Sequence, residues 1–125
     1  MFRSLIACAA LLACGQALAP NALAQSADDG RQVFKQVCSI CHDVAPDKNG
    51  TGPSLFGIVG RKTGSVSGFH YSDANKGANL TWDAATLNQY LANPRGVIPG
   101  TKMAYAGLKD DAKRAALVAY LQTLH

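Results

Sequence analysis

Glutamate is absent from this 125-residue chain: all eight of its acidic residues are aspartate. Tryptophan occurs once, at position 82, and charged residues make up only 16% of the chain. Twelve Lys and Arg leave a formal charge of +4, and they are scattered, with Arg61-Lys62 and Lys113-Arg114 the only doublets. A nucleic-acid-binding stripe needs clustered positive charge, so nucleic acid is not an expected partner. No apolar run reaches the roughly 20 residues of a membrane span. Repeats, low-complexity tracts and internal linkers are lacking, and no segment shows the sustained alternation of a strand. What remains is an all-α chain, in which 12 glycines and 5 prolines demand long loops.

The first residues carry Arg3, an unbroken apolar run from Leu5 to Ala13, and Ala22-Leu23-Ala24 just before Gln25. A positive start, a short apolar stretch and small residues ahead of the cut form a secretory signal peptide. Residues 1–24 are therefore expected to be removed, leaving residues 25–125 as one domain with a charge of +3. Leu11-Leu12-Ala13-Cys14 also fits a lipoprotein signal. Acylation of Cys14 would anchor the same domain to a membrane.

With the leader gone, only Cys38 and Cys41 remain of four cysteines, and His42 follows at once. A disulfide between them would close a loop too small to stabilise much. A thioredoxin-like redox pair wants a βαβ setting. Zinc wants four ligands, and a second close pair is missing. Cys-x-x-Cys-His fits a fourth chemistry, covalent attachment of a c-type haem. Two intervening residues set the sulfurs at the spacing of the two haem vinyl groups. The histidine then comes up beneath the iron as the proximal ligand.

The opposite ligand follows by elimination. The mature chain has one methionine, Met103, and two other histidines, His70 and His125. A methionine on a helix face is usually core packing, but Met103 follows Pro99 and Gly100 in an irregular stretch. His70 reads as a surface residue and His125 as a frayed terminus. Met103 is the expected ligand, and a thioether raises the reduction potential relative to imidazole.

Helical signals occupy 27–37, with Val33, Phe34 and Val37 inward; 82–92, with Thr81 as cap and Leu87, Tyr90 and Leu91 inward; and 110–124, with a stripe at Ala116, Leu117, Tyr120, Leu121 and Leu124. Asn93-Pro94 ends the second of these. A short helical turn fits 72–77, and 50–68 reads as glycine-rich loop.

Several further stretches now carry a resemblance: Thr51-Gly52-Pro53, Gly60-Arg61-Lys62-Thr63-Gly64, Tyr71 to Gly77, Leu80-Thr81-Trp82, Tyr90 to Pro94, and Ile98 to Met103. With the haem motif they make residues 28–124 resemble class I cytochrome c, closely the mitochondrial type and its short bacterial relatives. The resemblance implies three main helices, short helices and long loops around one covalent haem c. It implies that the Pro53 carbonyl accepts from the proximal imidazole. Arg61, Tyr71 and Trp82 would surround the propionates, and Asn75, Tyr90 and Thr101 would form a polar network on the methionine side. Gly30 and Phe34 would meet Leu117 and Tyr120. For the aromatic residues, core packing is the plainer reading.

The chain also departs from that family. Lysines that ring the exposed haem edge of mitochondrial members are replaced by Val37, Gly50, Gly96, Asp110 and Asp111, while Lys102, Lys109 and Arg95 remain. Tyr105 stands where many relatives have phenylalanine, and the segment between His42 and Pro53 is one residue shorter.

The expected function is one-electron carriage in the periplasm by a monomer that is not an enzyme. Its partners would be a quinol-oxidising complex, a terminal oxidase or a soluble reductase. A gas-binding or peroxidatic haem protein, or a membrane-tethered donor, is the alternative. The resemblance further implies that Lys102 can replace Met103 on the iron at alkaline pH.

Overall fold

The computed structural model describes residues 20–125, and side chains from Ser26 onward. The expected leader's apolar run and Cys14 lie outside the described residues. Five helices follow in order: α1 (Pro20–Val33), α2 (Asp73–Gly77), α3 (Ala84–Ala92), α4 (Pro94–Val97) and α5 (Asp111–Leu121). Among the described residues there is no strand, only one isolated bridge between Lys62 and Thr81. The all-α expectation holds.

The broadest helix pairing is α1 on α5. It needs the bare backbone of Gly30, because a Cβ there would overlap the Ala116 carbonyl. Beside it the Phe34 and Tyr120 rings pack with centroids 5.7 Å apart. Leu117 is 1% exposed, and such burial contributes about 1.5–3 kcal/mol. The core continues through Leu121, Leu87, Tyr90, Leu91, Trp82, Ile58 and Ile98. Cys38 and Met103, far apart in sequence, both pack against it.

Three expectations need correction. First, α1 runs into a π-helical turn, Phe34–Cys38. The wider turn adds a residue per revolution, so Val37 rotates off the Val33–Phe34 stripe and is 40% exposed. Second, Thr81 does not cap α3. Its segment pairs with the Lys62 segment, and Asp83 accepts from the Thr86 amide at 2.7 Å instead. Third, α5 stops at Leu121, leaving Leu124 half-buried beyond it. The expected end at Asn93-Pro94 holds: Asn93 ends α3, and its side chain caps α4, with Pro94 at the first helical position, where its missing N–H costs nothing. Ser72 caps α2, and Asp110 caps α5 rather than opening it.

Candidate functional site

The π-helical turn delivers Cys38 at the end of the first helix. The His42 amide then donates to the Cys38 carbonyl at 2.9 Å, and the Cys41 amide to the same oxygen at 3.1 Å. One tight turn thus carries two free thiols and an imidazole. Burial, and then the nearby Cys41, push the Cys38 thiol up to about 11.

His42 is held from the other side by residues 50–53. Its Nδ1 lies 2.7 Å from the Pro53 carbonyl oxygen. A carbonyl only accepts, so Nδ1 carries the proton and Nε2 keeps its lone pair. Burial lowers the imidazole's pKa, against the opposing pull of the Pro53 bond. The ring is therefore held neutral with its donor nitrogen fixed in direction. Gly52 makes the approach possible: a Cβ would overlap the imidazole, and the Gly52 amide donates to the Cys41 carbonyl at 2.8 Å. Asn49, which sequence reasoning passed over, steadies this loop by accepting from the Ser54 amide (3.0 Å) and donating to the Ser67 carbonyl (3.2 Å).

Arg61, Tyr71 and Trp82 lie around the single bridge. The Trp82 amide donates to the Arg61 carbonyl at 2.8 Å, and the Gly60 amide to the Trp82 carbonyl. The Arg61 guanidinium donates to the carbonyls of Ser54 and Phe56. Tyr71 hydroxyl accepts from the Val66 amide at 3.2 Å. Desolvation lowers the Arg61 pKa while the neighbouring Tyr71 works against that shift. A cation and a phenol are thus close together and half-buried, the setting that carboxylates entering an apolar site require. Trp82 is 7% exposed and stacks obliquely on Tyr90, centroids 4.8 Å apart, so packing is part of its role.

Tyr90, Thr101 and Met103 meet as expected. The Met103 amide donates to Thr101 Oγ1 at 3.3 Å, and the Thr101 and Tyr90 hydroxyls are 3.1 Å apart. Tyr90 Oη lies 4.0 Å from the Met103 Sδ. A phenol has one proton; given to sulfur, it leaves the phenol oxygen to accept from Thr101. Burial raises the Tyr90 pKa, with Thr101 opposing it. Asn75 makes no direct bond to these three. Its Oδ1 is the one buried side-chain polar atom among the described residues without a protein partner. His70 and His125 are exposed, as their sequence setting suggests.

Burial and the nearby Cys38 both raise the Tyr105 pKa, and Cys38 and Met103 pack against the same core. A pair of thiols, a neutral imidazole with a free Nε2, a thioether and an unpartnered buried amide oxygen fit one ligand class. The donor set and the helical frame define a c-type haem protein.

The cytochrome c family profile matches residues 27–125. Cytochrome c2 of Rhodomicrobium vannielii is 53% identical over 115 residues, which span 89% of this chain and 91% of that protein. Cytochrome c2 of Blastochloris viridis is 48% identical over 102 residues, 81% of this chain and 80% of that one. Among solved structures, cytochrome cH from Methylobacterium extorquens aligns with a TM-score of 0.73 at 45% identity, covering 78% of this chain and 97% of that chain. The chain belongs to the cytochrome c family, with the class I fold and a covalently attached haem c as its cofactor. It is an electron-transport protein.

Proposed function

We propose that this protein is a periplasmic one-electron carrier. Residues 1–24 direct export and are removed, and residues 25–125 form the working domain. Cys38 and Cys41 hold the haem as thioethers, and His42 and Met103 are the iron ligands. Haem c supplies an iron that gains and loses a single electron. The protein's own part is to keep the surroundings the same in both oxidation states. The Pro53 carbonyl keeps His42 in one tautomer and one orientation. Thr101 and Tyr90 hold Met103 from its amide and its sulfur. Arg61, Tyr71 and Trp82 receive the propionates, and Asn75 lends a buried acceptor on the methionine side. With two protein ligands, no position is left for substrate, so the protein turns nothing over. Redox partners would be a quinol-oxidising complex, a terminal oxidase or a soluble reductase, met by a monomer.

The observation that carries this reading is the pairing of Met103 with Tyr90 and Thr101 in a loop packed on the core. The test is the absorption spectrum of the mature ferric holoprotein beside Met103→Ala. The weak far-red band of sulfur-ligated ferric haem is expected in the parent and lost in the variant. A high-spin parent without the band overturns the reading in favour of gas binding or peroxidatic chemistry. Intact mass checks the leader: a chain beginning at Gln25 supports cleavage there, and an acylated Cys14 replaces it with a tethered donor.

A further inference from the structure

We propose that Arg114 and Gly107 form a clasp that keeps the Met103 loop closed, and that this clasp sets how readily Met103 yields to an added ligand. The proposal rests on the reading of Met103 as an iron ligand.

The loop after α4 starts from buried Ile98, 2% exposed. Its first half is bonded, with the Thr101 amide on the Ile98 carbonyl and the Met103 amide on Thr101. From Ala104 to Gly107 the backbone makes no hydrogen bond among the described residues. The second half of the loop therefore hangs from its root at Gly107, Leu108 and Lys109.

That root is fixed on two helices. The Leu108 amide donates to the Leu91 carbonyl of α3 at 2.7 Å, and the Leu108 carbonyl accepts from Arg114 Nη1 of α5 at 2.7 Å. One residue thus has its N–H on one helix and its C=O on another. Gly107 has φ of +110°, and a Cβ there would overlap the Ala92 carbonyl. Lys109 Nζ donates to that same carbonyl.

Arg114 is an unusual residue to find here. It is 9% exposed, as buried as the apolar residues around it. Its Nε donates to Asn88 Oδ1 at 2.9 Å, and its Nη2 pairs with Asp111 at 2.5 Å. A buried cation is retained only where its donors are satisfied, and here they join α3, α5 and the loop root. Arg114 is a positioning residue: it acts on Met103 only through Leu108.

For an added ligand to bind, Met103 has to leave with its loop, and the unbonded stretch 104–107 is where the backbone is free to turn. A local opening is governed by the bonds broken in it. Losing one charge-assisted bond at the root should raise the open population about ten- to a hundredfold.

The test uses ferric holoprotein with imidazole as the added ligand, followed by loss of the far-red band and by amide exchange at Leu108. Arg114→Lys keeps the charge but loses the fork. Gly107→Ala strikes the clasp from the other side and leaves α5 alone. Phe34→Leu, at the α1–α5 crossing, is the control for general loss of stability. Both clasp variants should bind imidazole about ten- to a hundredfold more tightly or faster than the parent, with faster Leu108 exchange, while the control stays near the parent. Clasp variants that match the control overturn the clasp and leave Met103 as ligand. A parent without the far-red band overturns both.

Discussion

His42 Nδ1 donates to the Pro53 carbonyl oxygen at 2.7 Å, across a turn that places Gly52 flat against the imidazole. The bond and the missing side chain belong together. The carbonyl reaches the ring only because the residue before Pro53 has no Cβ. Ligand orientation is thus set by a backbone approach distance as much as by a side-chain bond.

Gly52→Ala tests that relationship. The added methyl would overlap the ring, so either residues 50–53 move away or His42 tilts. Overpacking of this kind costs about 1–3 kcal/mol. The denaturation midpoint of the ferric holoprotein should fall accordingly. The reduction potential should move too, because the Pro53 bond is stretched. A variant with parental stability and potential would show that the loop yields freely.

Tyr90→Phe separates the hydroxyl from the ring. The ring packs on Trp82 at 4.8 Å and stays. The hydroxyl bonds to Thr101 and the Met103 sulfur go. With Met103 as the proposed iron ligand, a donor on its sulfur would draw charge from the thioether. Without that donor the thioether would donate more to ferric iron, so the potential should fall. Stability should change by no more than about 1.5 kcal/mol. Redox titration of both proteins decides, and an unchanged or raised potential would place the phenol proton elsewhere.

The chemistry at this site was legible because it lies in local strings. Cys38, Cys41 and His42 share one tight turn of one segment, and Met103 had no methionine rival. What escaped was set by neighbours distant in sequence. Thr81 reads as a helix cap, yet its backbone is taken by the Lys62 segment and Asp83 caps α3 instead. Val37 fits a 3.6-residue stripe until the π-helical turn rotates it outward. Arg114 left a trace: it stands three, four and seven residues before Leu117, Val118 and Leu121, a charge on an apolar face. Its partners Leu108 and Asn88 come from elsewhere in the chain, so only the fold explains it. Asn49 left no trace, since a loop asparagine that joins Ser54 to Ser67 looks like any turn residue.

Raising the pH should exchange Met103 for Lys102. The lysine is exposed and adjacent to Met103, the proposed ligand, and its amine must shed a proton before it can bind iron. The far-red band of the ferric protein should therefore persist at neutral pH and bleach on the alkaline side. Burial pushes the Tyr90 phenol up, which keeps its proton on as the pH rises and disfavours Tyr90 as the trigger. Lys102→Ala should suppress the transition or move it to higher pH, while Tyr90→Phe retains it. Bleaching at the same pH in Lys102→Ala would exclude this lysine.

Association with acidic redox partners should depend only weakly on salt. Around the cysteines Ile40 is 80% and Val37 40% exposed, beside the exposed Ser39, Gln36 and Lys35. The nearby cations are few: Lys35, Arg95, Lys102 and Lys109 are exposed, and Lys109 keeps its charge while donating to the Ala92 carbonyl. Steered association falls steeply with ionic strength because the field of a charged face is screened within about 30 Å at 0.01 M salt and about 8 Å at 0.15 M. With few charges to screen, the bimolecular electron-transfer rate with an acidic partner should fall less than about tenfold over that range. Stopped-flow reduction at the two salt levels measures it. Ile40→Lys places a cation between the two cysteines, so it should raise the low-salt rate and steepen the salt dependence. If the parent already shows the steep dependence, these few cations suffice for steering, and the exposed Val37 and Ile40 do not set the encounter.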